Sequence, residues 1–146
     1  MKKTGLIILV MFLIGLAATD LVDNHVEAGT LLKNYDHHVL PSGNEIELTK
    51  YTGFEKEVTI PGEAFGMSVV SIGSKAFESI SLREVVLPTT ITNIGERAFF
   101  NCGMLALIVG DNIQHIGDSS FYRNNFQDLI LPDSIISIGK SAFRES

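Results

Sequence analysis

Val85-Val86-Leu87-Pro88-Thr89-Thr90-Ile91-Thr92-Asn93-Ile94-Gly95-Glu96-Arg97-Ala98-Phe99 decides the fold, because its elements return along the chain at one interval. Ile94-Gly95 recurs as Ile72-Gly73, Ile116-Gly117 and Ile138-Gly139, an unbroken 22-residue spacing. Ala98-Phe99 recurs as Ala76-Phe77, Ser120-Phe121 and Ala142-Phe143, and Ile91 as Val69, Ile113 and Ile135. The leading Val85-Val86-Leu87-Pro88 returns as Leu107-Ile108-Val109-Gly110 and as Leu129-Ile130-Leu131-Pro132. Val58-Thr59-Ile60-Pro61 is the same unit displaced, since Pro61 lies further from Pro88 than the regular step allows. The extra residues fall within 62–68, where two glycines predict a longer loop.

A unit this short cannot enclose a core, so successive units must stack and share one. The fold class is therefore a β-rich parallel solenoid of about four coils. Strands of adjacent coils lie about 4.8 Å apart, which predicts that Phe77, Phe99, Phe121 and Phe143 form a continuous internal ladder. Val85, Leu107 and Leu129, with Leu87, Val109 and Leu131, are expected to line the sheet side of that core. Gly73, Gly95, Gly117 and Gly139 are expected where the chain turns through backbone angles that side chains resist. Pro61, Pro88 and Pro132 are expected to end strands, because proline has no N–H to give a neighbouring coil.

A stack of coils exposes open backbone and apolar side chains at each end, so capping is needed. Residues 29–57 supply an N-terminal cap and lead-in, with Leu31, Leu32, Tyr35, Val39 and Leu40 followed by the alternating Ile46 and Leu48. Pro41-Ser42-Gly43-Asn44 is turn chemistry and predicts a hairpin over 36–50. The repeats occupy 58–146, with no evident C-terminal cap: Arg144-Glu145-Ser146 follows Phe143 directly. Two expectations stand side by side, a truncated frame or another chain covering that end. The last coil is expected to be the least ordered part.

The unit, apolar-x-x-Val-x-Leu-Pro-x-x-Ile-x-x-Ile-Gly-x-x-Ala-Phe, resembles the BspA-like, bacterial surface-antigen class of leucine-rich repeats. Glu45-Ile46-Glu47-Leu48-Thr49-Lys50-Tyr51-Thr52-Gly53 is similar to the first repeat of that family, so the resemblance runs over residues 45–146. It implies a curved, non-enzymatic repeat domain, secreted or displayed at the cell surface, used for adhesion or protein binding through its sheet face. The implied partner is a protein or host-surface ligand, with a polysaccharide as the other option.

The N-terminus reads as an address. Lys2 and Lys3 precede an apolar run from Leu6 to Ala18, whose thirteen residues span about 20 Å as helix, short of a hydrocarbon core of about 30 Å. A basic head with a short apolar stretch is the build of a secretory signal, here residues 1–28, with cleavage after Ala17 or after Ala28. The alternative is an uncleaved anchor, the one route by which this chain would meet a membrane. Lysine and arginine number eleven against seventeen acids, a net charge of −6. No basic footprint for nucleic acid exists. A single cysteine makes no intramolecular disulfide.

Outward positions of the repeat strands carry the candidate ligand-binding residues. Val86 lies between the inward Val85 and Leu87, and its equivalents are Thr59, Ile108 and Ile130. Solvated strand positions are usually polar, so the three branched aliphatics Val86, Ile108 and Ile130 predict a partner-binding stripe, with Thr59 at its first-unit end and Arg83, Glu84 and Asp128 as its charged rim. Two other readings stay open: the stripe is covered by the N-terminal segment or a second copy, or these are simply good strand formers. His37 and His38, adjacent on extended backbone, point to opposite faces, and no metal site or cofactor is expected. His115 stands in a variable slot shared with Asn93 and Ser137, which predicts surface exposure. Cys102, in the slot of Ile80 and Asn124, is expected to be structural, since no activating base accompanies it. Nucleophile-elbow, phosphate-loop and zinc-protease motifs are absent from the sequence, so no enzyme is expected. The alternative roles are a building block self-associating through its C-terminal coil and a fragment of a longer surface adhesin.

Overall fold

The computed structural model describes residues 32–146. The signal and its two cleavage points lie outside the described residues. Ten strands and no helix appear among the described residues, ordered β1 (Tyr35–Val39), β2 (Glu45–Tyr51), β3 (Glu57–Thr59), β4 (Glu63–Ala64), β5 (Met67–Ile72), β6 (Glu84–Val86), β7 (Asn93–Ile94), β8 (Ala106–Ile108), β9 (His115–Ile116) and β10 (Ser137–Ile138). They form two sheets. A long one runs β1-β2-β5-β7-β9-β10, with β4 beside β5, and a short one runs β3-β6-β8. The repeat step is visible in both: Ile72, Ile94, Ile116 and Ile138 pair in succession across parallel strands, as do Val58, Val85 and Leu107. Successive repeats thus lay segments on both sheets, and the core lies between them.

The aromatic spine follows the sequence expectation. Phe77 and Phe99 stack with centroids 4.8 Å apart, Phe99 and Phe121 at 5.4 Å, and Phe121 and Phe143 at 5.2 Å. Tyr51 extends the column at 5.1 Å from Phe77. Phe77, Phe99 and Phe121 are fully buried. The backbone beneath the rings holds the spacing: the Phe77, Phe99 and Phe121 amides donate to the Ala98, Ser120 and Ala142 carbonyls, each at 2.8 Å. Between them, the Ala76, Glu78 and Ile80 amides donate back within the coil, to the Gly73, Lys75 and Phe77 carbonyls. Alternate amides therefore serve the next coil and the turn within their own coil.

The repeat glycines do not work as expected. Gly73, Gly95, Gly117 and Gly139 are not in the left-handed region. Coils approach too closely for a side chain there: a Cβ on Gly117 would meet the Glu96 nitrogen and the Gly95 carbonyl carbon at 2.6 Å. The left-handed positions are instead Lys75, Arg97, Ser119 and Ser141, just after each glycine, and Ser79, Asn101, Arg123 and Glu145, one turn further on. A left-handed non-glycine residue costs roughly 1–2 kcal/mol, and the ladder offsets that strain. The Arg97 amide reaches the Asp118 carbonyl at 2.9 Å and the Asn101 amide reaches the Tyr122 carbonyl at 2.7 Å.

The insertion before the second repeat is a hairpin rather than a longer loop. β4 pairs antiparallel with β5 across Phe65-Gly66, both left-handed at φ 55° and 72°, the signature of a tight two-residue turn. At the N-terminal edge, β1 and β2 form the expected antiparallel hairpin, and β2 continues into the long sheet by pairing parallel with β5. At the other end, residues 129–131 join no strand, so Pro132 ends none; the short sheet stops at β8.

Candidate functional site

The short sheet places the stripe residues side by side. Thr59 pairs with Val86, and Val86 with Ile108, while the inward Val58, Val85 and Leu107 are buried. Strand alternation does the sorting: an inward residue on each strand sends its successor outward. Thr59 and Val86 are half-buried, whereas Ile108 is 53% and Ile130 84% exposed. Exposure thus rises along the stack. Ile130 stands beyond the β8 edge, outside the ladder that aligns the other three.

The rim is charged but weakly bound. The Arg83 guanidinium lies 3.6 Å from the Glu57 carboxylate, with both side chains about two-thirds exposed, a geometry worth little in water. Glu84 is in register with Glu57 on β3 and Ala106 on β8, and Asp128 is exposed. One neighbour escaped the sequence reading. Leu105 is 40% exposed and, with Ala106, stands where the flanking repeats carry Arg83-Glu84 and Gln127-Asp128. The charged rim is therefore interrupted in the repeat that carries Ile108, and Leu105, Ile108 and Ile130 are each exposed. That signal lay in the deviation from the repeat, not in the repeat itself.

Other chemistry-bearing residues have structural partners. The Cys102 Sγ, buried, lies 3.0 Å from the Phe77 carbonyl. Burial is the main cause that pushes its thiol up to about 12, far from the thiolate that nucleophilic chemistry needs. The equivalent Asn124 donates to the Phe99 and Phe121 carbonyls at 3.0 and 2.8 Å and accepts from the Met104 amide at 3.0 Å. Ser146, in the same slot, donates to the Phe121 carbonyl. This column ties each coil to the one before it.

The histidines separate as expected. His37 stacks on Phe65 at 5.5 Å, whereas His38 lies 3.8 Å from Glu47. His115 is exposed and hydrogen-bonded to Ser137 at 2.8 Å. Among the described residues, no group of three His, Cys, Asp or Glu side chains gathers as metal ligands would. No helix among them is long and apolar enough to cross a membrane.

Residues 50–146 match the family described as BspA type leucine-rich repeat region, and the chain belongs to that family. Several solved structures share the fold. A leucine-rich repeat protein of T. pallidum is 27% identical with a TM-score of 0.67, aligned over 77% of this chain and 64% of that one. A leucine-rich repeat protein of Bacteroides capillosus gives 0.69 at 22% identity, over 76% of this chain and 86% of its own. One from Bacteroides ovatus gives 0.60 at 22% identity, over 76% and 37%. The chain thus spans less than two thirds of the T. pallidum protein. No curated protein matches it. The family supports a repeat module for protein interaction, in a class whose members are generally non-enzymatic and typically secreted or at the bacterial surface.

Proposed function

We propose that this chain is an exported, non-enzymatic module that binds a protein at the short sheet, through Thr59, Val86, Ile108 and Ile130. Arg83, Glu84 and Asp128 form the polar rim, and residues 29–57 cap the N-terminal end. One observation carries the reading: Ile108, in register with Val86, leaves half its surface in water. An apolar centre within a polar rim is how protein-binding patches are built. Export rests on the basic head and short apolar run of residues 1–28. Adhesion is the use that fits such a patch on a displayed protein.

The test is Ile108→Lys. Stability should change by no more than about 0.5 kcal/mol, as for an exposed surface site. Binding to immobilised extracellular-matrix and serum proteins, followed by surface plasmon resonance, should drop at least tenfold. Unchanged binding to a protein that the parent chain captures would remove the sheet face from the reading.

A second reading has its own support, in the apolar end of the last coil: Ile136 is 70% and Ile138 50% exposed. Such a face suits stacking against a further coil, including one from a second copy. Light scattering over a concentration series checks it, and a strict monomer removes self-assembly.

A further inference from the structure

We infer that a polar groove along one corner of the solenoid is a binding site for a neutral glycan chain, separate from the short-sheet stripe. Its volume is about 360 Å³, near the lower end of the roughly 300–1,000 Å³ typical of small-ligand clefts. The walls come from successive coils and include Ser81, Asn101, Asn125, Arg123 and Glu145. The left-handed turns build one wall, since Asn101, Arg123 and Glu145 occupy one such column at φ 54°, 55° and 57°. Ser81, Gly103 and Asn125, equivalent positions of successive repeats, form the other. Gly103 keeps the middle of that wall low.

The lining has the chemistry of sugar recognition. Among the described residues, the Ser81, Asn101 and Asn125 side chains make no hydrogen bond to the protein, so a hydroxyl and two amides remain for a ligand. An amide offers donor and acceptor together, which matches paired ring hydroxyls. The Arg123 Nε donates to Glu145 at 2.8 Å, and the Tyr122 hydroxyl donates to the same carboxylate at 2.6 Å. This pair is already matched in charge, which favours a neutral ligand over an ionic one.

An exposed aromatic ring, outside the groove's lining, precedes its Ser81 end along the stack. The Arg83 amide donates to the Lys56 carbonyl at 2.7 Å, so the chain before β3 lies beside the chain before β6, and Phe54 falls in the slot preceding Ser81. Phe54 is 97% exposed. Its backbone is held: its amide donates to the Glu55 carboxylate at 3.1 Å, and that carboxylate accepts from the Tyr51 hydroxyl at 2.6 Å. The exposed ring offers a flat apolar face to the C–H side of a pyranose. A peptide ligand would want apolar side-chain pockets, and these polar walls supply none.

The experiment is an amide NMR titration of the whole chain with maltohexaose, cellohexaose and chitohexaose. At least one hexaose should shift the resonances of Phe54, Ser81, Asn101 and Asn125. Phe54→Ala and Asn125→Ala should each weaken that binding at least tenfold with unchanged thermal midpoints, while Ile108→Lys should leave it intact. No groove shift with any hexaose at millimolar concentration overturns the site. So does a shift there by an extended peptide alone, or a loss on Ile108→Lys in a folded protein.

Discussion

The coil holding Phe99 and the coil holding Phe143 carry the same motif, yet they live in different surroundings. Ile94 and Ile116 are 3% exposed, whereas their equivalent Ile138 is 50% exposed. Ile113 is fully buried and Ile135 only partly. Phe99 has a ring on either side, while Phe143 has Phe121 on one side alone among the described residues. Burial in a solenoid therefore belongs to the interface between coils, not to the residue. The stability of such a stack is close to a sum of coil and interface terms, and among the described residues the coil of Phe143 shares one interface where that of Phe99 shares two.

That contrast can be broken or sharpened by substitution. The largest effect is expected at the spine: Phe99→Ala should cost about 3–5 kcal/mol, the usual range for a buried aromatic. Phe143→Ala should cost markedly less, and urea unfolding of both variants measures the gap. Equal losses would mean that the terminal ring is as enclosed as the inner one. Next comes Gly117→Ala. Its new methyl would press on backbone atoms of the preceding coil, which cannot rotate away as a side chain would, so a loss of about 1–3 kcal/mol is expected. Thermal unfolding beside Gly43→Ala, where a Cβ meets nothing within 4 Å but φ is +80°, separates crowding from conformational strain.

The smallest effect has the opposite sign. Ser120 sits fully buried between Ala98 and Ala142 in the repeat slot, and its hydroxyl has no hydrogen-bond partner among the described residues. An unmet buried hydroxyl costs about 1–3 kcal/mol, so Ser120→Ala should stabilise the chain by about 1 kcal/mol, read from the urea midpoint. A destabilised variant would show that the hydroxyl has a partner.

Legibility followed the repeat. The Phe column, the pairing of Val85 with Leu107, and the exposure of His115 all descend from the regular spacing, because translation along a stack preserves each residue's environment. Departures from the repeat were harder to read. The 62–68 insertion suggested a loop from its glycines, but Phe65 joined Gly66 in left-handed backbone to make a tight hairpin. Leu105 carries no repeat signal, since its slot is otherwise held by Arg83 and Gln127, and only its exposed surface marks it. The groove was invisible, since Ser81, Asn101 and Asn125 converge only when separate coils are laid side by side.

By itself the sequence determined the period, the direction of stacking, the inward column of aromatic rings and membership of a repeat class, for these depend on which residues recur. Only the tertiary structure decided why the glycines are there, how exposed Ile108 and Ile138 become, and how the repeats divide between two sheets. Those are matters of distance between backbones that are neighbours in space but a full repeat apart in sequence. A recurring letter marks such a place without saying whether the chain turns there or is merely crowded.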